Sequence, residues 1–215
     1  MPGSLRNFRS EFHISNSKQP VDFCKRASLD LEIGCGVGFH PIQYAKQNPG
    51  RSLIAIEKTS EKFFKFQRRF ENSGCPSNLL PVHGHAITWI VQNVCEKSIE
   101  NIFILYPNPY PKTSQRNLRW HRAPFMAFLL TRLIPGGRLH LATNESFYHE
   151  EAKNFYQDSL GLELREEARV SAGAVGRTHF ETKYLRNGQK CWNMEFEMPD
   201  RIMRAQKDSN LRPSD

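Results

Sequence analysis

The chain has 215 residues, a formal net charge of +8, and a composition that is 39% hydrophobic and 24% charged. That is enough apolar material for one domain-sized core, and no apolar run of about 18 residues is present to span a bilayer. The surplus of positive charge favours polyanionic partners. Residues 1–27 are polar and mixed, lack the apolar centre of a secretion signal, and predict an arm or short helix ahead of a domain at 28–199. Cys24, Cys35, Cys75, Cys95 and Cys191 are scattered, odd in number and without a C-x-x-C pair. That usage argues for reduced thiols in a cytoplasm rather than a disulfide framework or a zinc site.

In chain order, SLDLEI at 28–33 alternates and runs into GCGVG, a strand entering a turn. FHPIQYAKQN is the helix that follows. RSLIAIE at 51–57 is a second strand, and TSEKFFKFQRRFENSG a helix stopped by Gly74. Its phenylalanines read as the core face of that helix. NLLPVHG is a short third strand weakened by Pro81, and AITWIVQNVCE a helix. IENIFILY is a fourth strand, followed by a helix within RWHRAPFMAFLLTRLI whose start Pro124 delays. GGRLHLAT at 136–143 is a fifth strand, and SFYHEEAKNFYQDSLG a helix. LELREEARV and QKCWNMEFEM alternate, with no helix expected between them. Residues 200–215 lack apolar periodicity and predict a disordered tail. Five βα units and two closing strands give an α/β fold. Its sheet is mostly parallel and seven-stranded, with helices on both faces and a C-terminal antiparallel hairpin.

The turn after the first strand carries Gly34, Gly36 and Gly38, which permit left-handed backbone and close approach to a ligand. Phe39 stands where a dinucleotide fingerprint would place its last glycine, which tells against a pyrophosphate cradle and so against NAD. Glu32 precedes the glycines, and Glu57 ends the second strand, where a carboxylate can accept both hydroxyls of a ribose. These features resemble the class I S-adenosylmethionine-dependent methyltransferases, a Rossmann-like fold.

The fourth strand runs into YPNPYPKTSQRNLR. Three prolines in five residues cannot continue a central strand, so the chain leaves the sheet as a stiff loop. No Asp or Glu occurs from 101 to 144, a span that holds Lys112, Arg116, Arg119, Arg122, Arg132 and Arg138. The pattern reads as a phosphate-binding surface. His83 and His85 have no third ligand at a recognisable spacing and make no metal site.

The proline loop, GGRLHLATN and RTHFETKYLRNGQ together resemble the tRNA (guanine-N7-)-methyltransferase family of the TrmB type, over residues 28–196. That family shows F-P-D-P-W-x-K-x-x-H-x-K-R-R after strand four, a T-D pair after strand five and T-x-F-E before the last strand. The resemblance implies S-adenosylmethionine as cofactor, contacted by Glu32, Gly34, Cys35, Gly36, Glu57, Lys58, His85, Ala86 and Tyr106. It implies Asn108 at the catalytic position. Substrate contacts fall on Asn108, Tyr110, Lys112, Arg116, Arg119, Asn144, Thr178, His179, Phe180 and Glu181. Lys112, Arg116 and Arg119 would hold RNA phosphates, Tyr110 would stack on the target base, and Glu181 would bond the guanine's donor edge or pair with Arg177 or Lys183. A cytoplasmic enzyme acting on tRNA is expected, as a monomer or homodimer, without a metal or a membrane.

This chain departs from the family pattern at several positions. Asn108 and Asn144 replace Asp, His85 replaces the Asp of G-D-A, Tyr110 replaces Trp and Gln115 replaces His. Two other readings follow. NPYP is similar to the N-P-P-Y loop of amino methyltransferases, though Pro111 follows the tyrosine instead of preceding it. A non-catalytic tRNA-binding homologue would keep the fold and the basic face.

Overall fold

A computed structural model describes residues 8–13 and 22–200; the expected tail falls outside the described residues, except for Asp200. Seven strands are β1 (Leu29–Ile33), β2 (Ser52–Glu57), β3 (Leu79–His83), β4 (Ile99–Leu105), β5 (Leu133–Thr143), β6 (Glu163–Arg169) and β7 (Trp192–Glu197). They form one sheet in the order β3-β2-β1-β4-β5-β7-β6. β1 to β5 are parallel, and β7 runs antiparallel to both β5 and β6. Six α-helices connect them: α1 (Phe39–Gln47), α2 (Ser60–Asn72), α3 (Ala86–Asn93), α4 (Phe125–Leu130), α5 (Ser146–Asn154) and α6 (His179–Arg186). No helix among the described residues is long and apolar enough to cross a membrane.

Strand periodicity divides the core into two layers. Leu29, Leu31 and Ile33 of β1 point to one side, with Ile90, Phe125, Leu129 and Tyr148 of α3, α4 and α5. Leu53 and Ala55 of β2 and Phe103 and Leu105 of β4 point to the other, with Ile42, Phe66 and Phe180 of α1, α2 and α6. Burying each large aliphatic side chain contributes about 2 kcal/mol. Asp30 lies fully buried on the second side because Arg51 pairs with it at 2.5 Å, and the Tyr44 hydroxyl and Asn101 amide donate to it at 2.7 and 2.8 Å. In the N-terminal arm, Phe8 packs on Phe125 and Phe128, and the Gln92 amide donates to the His13 carbonyl at 2.8 Å.

Two elements, α6 and β5, differ from expectation. α6 stands between β6 and β7, where no helix was expected; Thr178 caps it by accepting from the Glu181 amide at 2.9 Å. The T-x-x-E spacing is the capping-box signal that marks such a start. The fourth helix starts late, as expected from Pro124: the chain makes 3-10 turns at Thr113–Leu118 and Trp120–Arg122, and a short α4 begins at Phe125. β5 starts at Leu133 rather than 136, since its register against β4 jumps across Pro135 and Gly136, from Leu133 opposite Ile99 to Arg138 opposite Asn101. On α2 Phe63, Phe66 and Phe70 form the expected core face, with Phe66 fully buried, and Phe64 alone faces outward, 60% exposed.

Candidate active site

The strand order reverses between β1 and β4, and at such a switch point the loops leaving the carboxyl ends of neighbouring strands splay apart to open a crevice. The glycine turn leaves β1 on one side of it and the proline loop leaves β4 on the other.

Gly34, Gly36 and Gly38 all adopt positive φ, at 75°, 63° and 83°. The amides of Gly34 and Cys35 donate to the Ile56 carbonyl at 2.8 and 3.2 Å, which ties the turn to β2. Glu57 is buried and braces the same turn: its Oε2 accepts from the Gly36 amide at 2.9 Å and its Oε1 from the Thr59 amide at 2.7 Å. Glu32 bonds the His40 ring at 2.8 Å, joining β1 to the first turn of α1. The Gly84 amide donates to the Glu57 carbonyl at 3.1 Å and brings the His85 turn beside it. Lys58 and His85 are exposed, and Cys35 and Ala86 half-buried. Burial, with Lys58 and His13 nearby, holds the His85 imidazole below its usual value.

Across the crevice, Tyr106 and Tyr110 hold left-handed backbone with φ of 53° and 45°. Non-glycine residues in that region cost about 1–2 kcal/mol each, and such strain concentrates at functional loops. The Asn108 Oδ1 accepts from the Tyr110 amide at 3.2 Å, and Arg119 donates to the Tyr110 carbonyl. The Tyr106 amide donates to the Ala142 carbonyl of β5, and its hydroxyl donates to Glu181 Oε1 at 2.7 Å. Burial and the Glu181 carboxylate push the Tyr106 phenol well up.

Residues 26–194 match the family model described as "Putative methyltransferase". The chain belongs to this methyltransferase family. Over 203 residues it is 29% identical to a tRNA (guanine-N(7)-)-methyltransferase of Bordetella pertussis, an alignment covering 90% of this chain and 78% of that protein. A protein of the same name from Geobacter metallireducens is 35% identical over 127 residues, 59% of this chain and 60% of that one. Among solved structures, an antibiotic-related methyltransferase superposes with a TM-score of 0.64 at 15% identity, covering 82% of this chain and 92% of that one. The 16S rRNA methyltransferase KamB gives 0.59 at 15% identity, covering 90% and 95%. At that identity the likeness is one of fold, a class I methyltransferase fold.

The glycine turn of this methyltransferase suits the S-adenosylmethionine that such folds use. A Cβ built on Gly34 or Gly36 meets no atom within 4 Å, so the backbone there faces open space. Each Glu57 oxygen keeps a lone pair free beyond its bond to the turn.

Several expected substrate residues are engaged within the protein. Arg119 is 7% exposed, and its guanidinium bonds Glu151 of α5 as well as the Tyr110 carbonyl, so it is not free to hold a phosphate. Glu181 is 1% exposed; its oxygens accept from the Tyr106 hydroxyl and from the Arg177 amide and guanidinium, which leaves no open edge for a guanine. Burial pushes its carboxyl up, but Arg177 and Tyr106 outweigh that and hold it below the usual range. Asn144 donates to Glu145 and Gln189 at 3.3 and 3.1 Å. Asn108, Lys112, Arg116 and His179 are exposed, and Tyr110, Thr178 and Phe180 half-buried. The basic run also changes meaning. Arg122 pairs with Glu151, Arg132 with Glu96, and Arg138 with Glu195 and Glu197, because acids from other segments fold onto it. Of the two partners expected for Glu181 within the protein, Arg177 is the one that pairs with it. Sequence reading missed His40 and Glu151, each an ordinary charged or polar residue until its partner is known.

Proposed function

We propose that this chain transfers a methyl group from S-adenosylmethionine to N7 of a guanine in tRNA. The Tyr106–Glu181 hydrogen bond carries the reading: it joins the proline loop of β4 to the T-x-F-E turn of α6 beside the glycine turn. The names of the curated relatives point the same way.

The cofactor, when bound, supplies an electrophilic methyl that the N7 lone pair takes as the carbon–sulfur bond breaks. Guanine N7 has no proton to lose, so the chain needs no general base and contributes position and electrostatics. Gly34 and Gly36 give the close backbone approach, and Glu57 accepts from the ribose hydroxyls. Glu32, through His40, keeps α1 and the turn in place, with Cys35, Lys58, His85 and Ala86 bordering the adenosine side. Tyr110 stacks on the base, Asn108 orients it, and Lys112 and Arg116 hold flanking phosphates. A carboxylate at the position of Asn108 would stabilise the positive charge that arrives on the base, and the neutral amide supplies less of this. The enzyme is therefore slower than one with Asp there. We place it in the cytoplasm with its tRNA, as a monomer or homodimer.

Incubation with unmodified tRNA and S-adenosylmethionine, followed by nucleoside mass spectrometry, should yield 7-methylguanosine. Methyladenosine would favour the amino-group reading, and tRNA binding without any methylated product the non-catalytic one.

A further inference from the structure

Folding moves the free positive charge of this protein. Among the described residues, only Lys112 and Arg116 of the six cations in 101–144 are exposed without an acid partner. A second cationic region forms where α2 meets α6. On α2 the positions 62, 65 and 69 follow helical spacing on one face, and on α6 the positions 179, 183 and 186 do the same. The core side of α2 is taken by Phe63, Phe66 and Phe70 and that of α6 by Phe180 and Tyr184; Lys62 and Arg69 flank the α2 core side, half-buried toward α6, while Phe64, Lys65 and Arg68 face outward. Lys65 pairs with Glu61. Lys62, Arg68, Lys183, Arg186 and Lys190 have no carboxylate partner among the described residues.

Two contacts join these faces. The Lys62 ammonium lies 5.4 Å from the Phe180 ring centroid. The Phe39 ring stacks on His179 with centroids 6.2 Å apart, and the Arg69 guanidinium lies 4.5 Å from its centroid. Phe64, 60% exposed, stands one turn from Arg68. Both helices begin at the carboxyl end of the sheet, α2 just after Glu57 and α6 at Thr178, so a polyanion lying along them leads into the crevice.

We propose that the joined outer faces of α2 and α6 dock the phosphate backbone of the tRNA, with Phe64 as a stacking ring for an unpaired base. The occupant follows from charge complementarity: unpaired cations interleaved with an exposed ring match the phosphates and bases of an RNA. The inference rests on the tRNA reading and adds the surface that holds the body of the substrate.

The test measures affinity for unmodified tRNA in the presence of S-adenosylhomocysteine, between about 50 and 200 mM salt, where phosphate contacts dominate the slope. The variants are Lys183→Glu/Arg186→Glu, Arg68→Glu and Phe64→Ala. Lys46→Glu/Lys97→Glu, at the opposite end of the sheet, controls for net charge. The α6 double variant should lose about tenfold or more in affinity and lower the log–log salt slope by about two, against about twofold or less for the control. Phe64→Ala should weaken binding with the slope unchanged. Calorimetry with S-adenosylhomocysteine should give wild-type affinity for every variant, which shows that each is folded. Wild-type tRNA affinity in the α6 double variant, or an equal loss in the control, would overturn the inference. A wild-type chain that makes no 7-methylguanosine, while its tRNA binding still depends on these cations, would overturn the proposed reaction and leave the surface standing.

Discussion

Arg119 donates from Nη2 to the carbonyl oxygen of Tyr110 at 2.9 Å, and this bond fixes one side of a left-handed residue whose amide Asn108 holds from the other. The guanidinium is itself anchored on Glu151 of α5, which also pairs with Arg122. A nominal phosphate ligand is thus a strut between α5 and the proline loop.

Glu151→Gln removes the charge on which both guanidiniums rest. Stability should fall by about 2 kcal/mol, as expected when one partner of a largely buried pair is lost. The loosened loop should lower kcat about tenfold with S-adenosylmethionine affinity unchanged. Urea unfolding, single-turnover kinetics and calorimetry measure the three quantities. An unchanged kcat would show that the loop keeps its shape without the strut.

Asn108→Asp retains an oxygen to accept from the Tyr110 amide, so the loop should keep its conformation. The added charge should raise the rate of 7-methylguanosine formation about tenfold. Mass spectrometry of timed reactions reads this directly, and an equal or lower rate would refute the electrostatic argument.

Two glycines of one turn should fail differently when replaced. A Cβ on Gly38 would fall 2.0 Å from Cδ2 of the buried Phe66 ring, whereas one on Gly34 meets nothing within 4 Å. Gly38→Ala should cost about 3 kcal/mol through overpacking, and Gly34→Ala about 1 kcal/mol through its positive φ. Gly34→Ala should weaken S-adenosylmethionine binding more than it weakens the fold. Urea midpoints and calorimetric affinities separate the two, and equal stability losses would contradict the packing argument.

His121 supplies a pH dependence. Its ring is fully buried among Tyr148, Phe155 and Tyr156, with a Glu151 oxygen 3.6 Å away. Burial pushes the imidazole from 6.5 down to about 4; Glu151 opposes the shift, and Arg122 and Arg119 add to it. Between those values the unfolded chain binds a proton that the folded chain does not. The contribution is therefore fully present above pH 6.5 and lost as pH falls to 4. It amounts to something on the order of 3 kcal/mol. His121→Phe should flatten the stability profile across this window and leave stability near pH 8 little changed. Melting curves at stepped pH check it, and a wild-type slope in the variant would assign the acid sensitivity elsewhere.

Much of this architecture is written locally. Residues such as Leu29, Leu31 and Ile33 alternate with a period of two, Gly34 and Gly36 mark a turn needing positive φ, and Pro107, Pro109 and Pro111 end a strand. Those signals depend on neighbours a few residues away, so the alternating βα order, the seven strands and the glycine turn can be read from the sequence. The helix α6 was also within reach, since Thr178 and Glu181 carry a capping spacing.

Only the tertiary structure decided which charges remain free. A sequence states that Arg119 is cationic; it does not state that Glu151, 32 residues on, folds against it, or that Tyr106 meets Glu181 across 75 residues. A charge acts on a ligand only when no closer opposite charge has neutralised it, and that depends on distances the fold alone sets. For this reason the proline loop kept its place beside the crevice with Lys112 and Arg116 free, while two expected grips, Arg119 and Glu181, became its supports, and further unpaired cations gathered on α2 and α6.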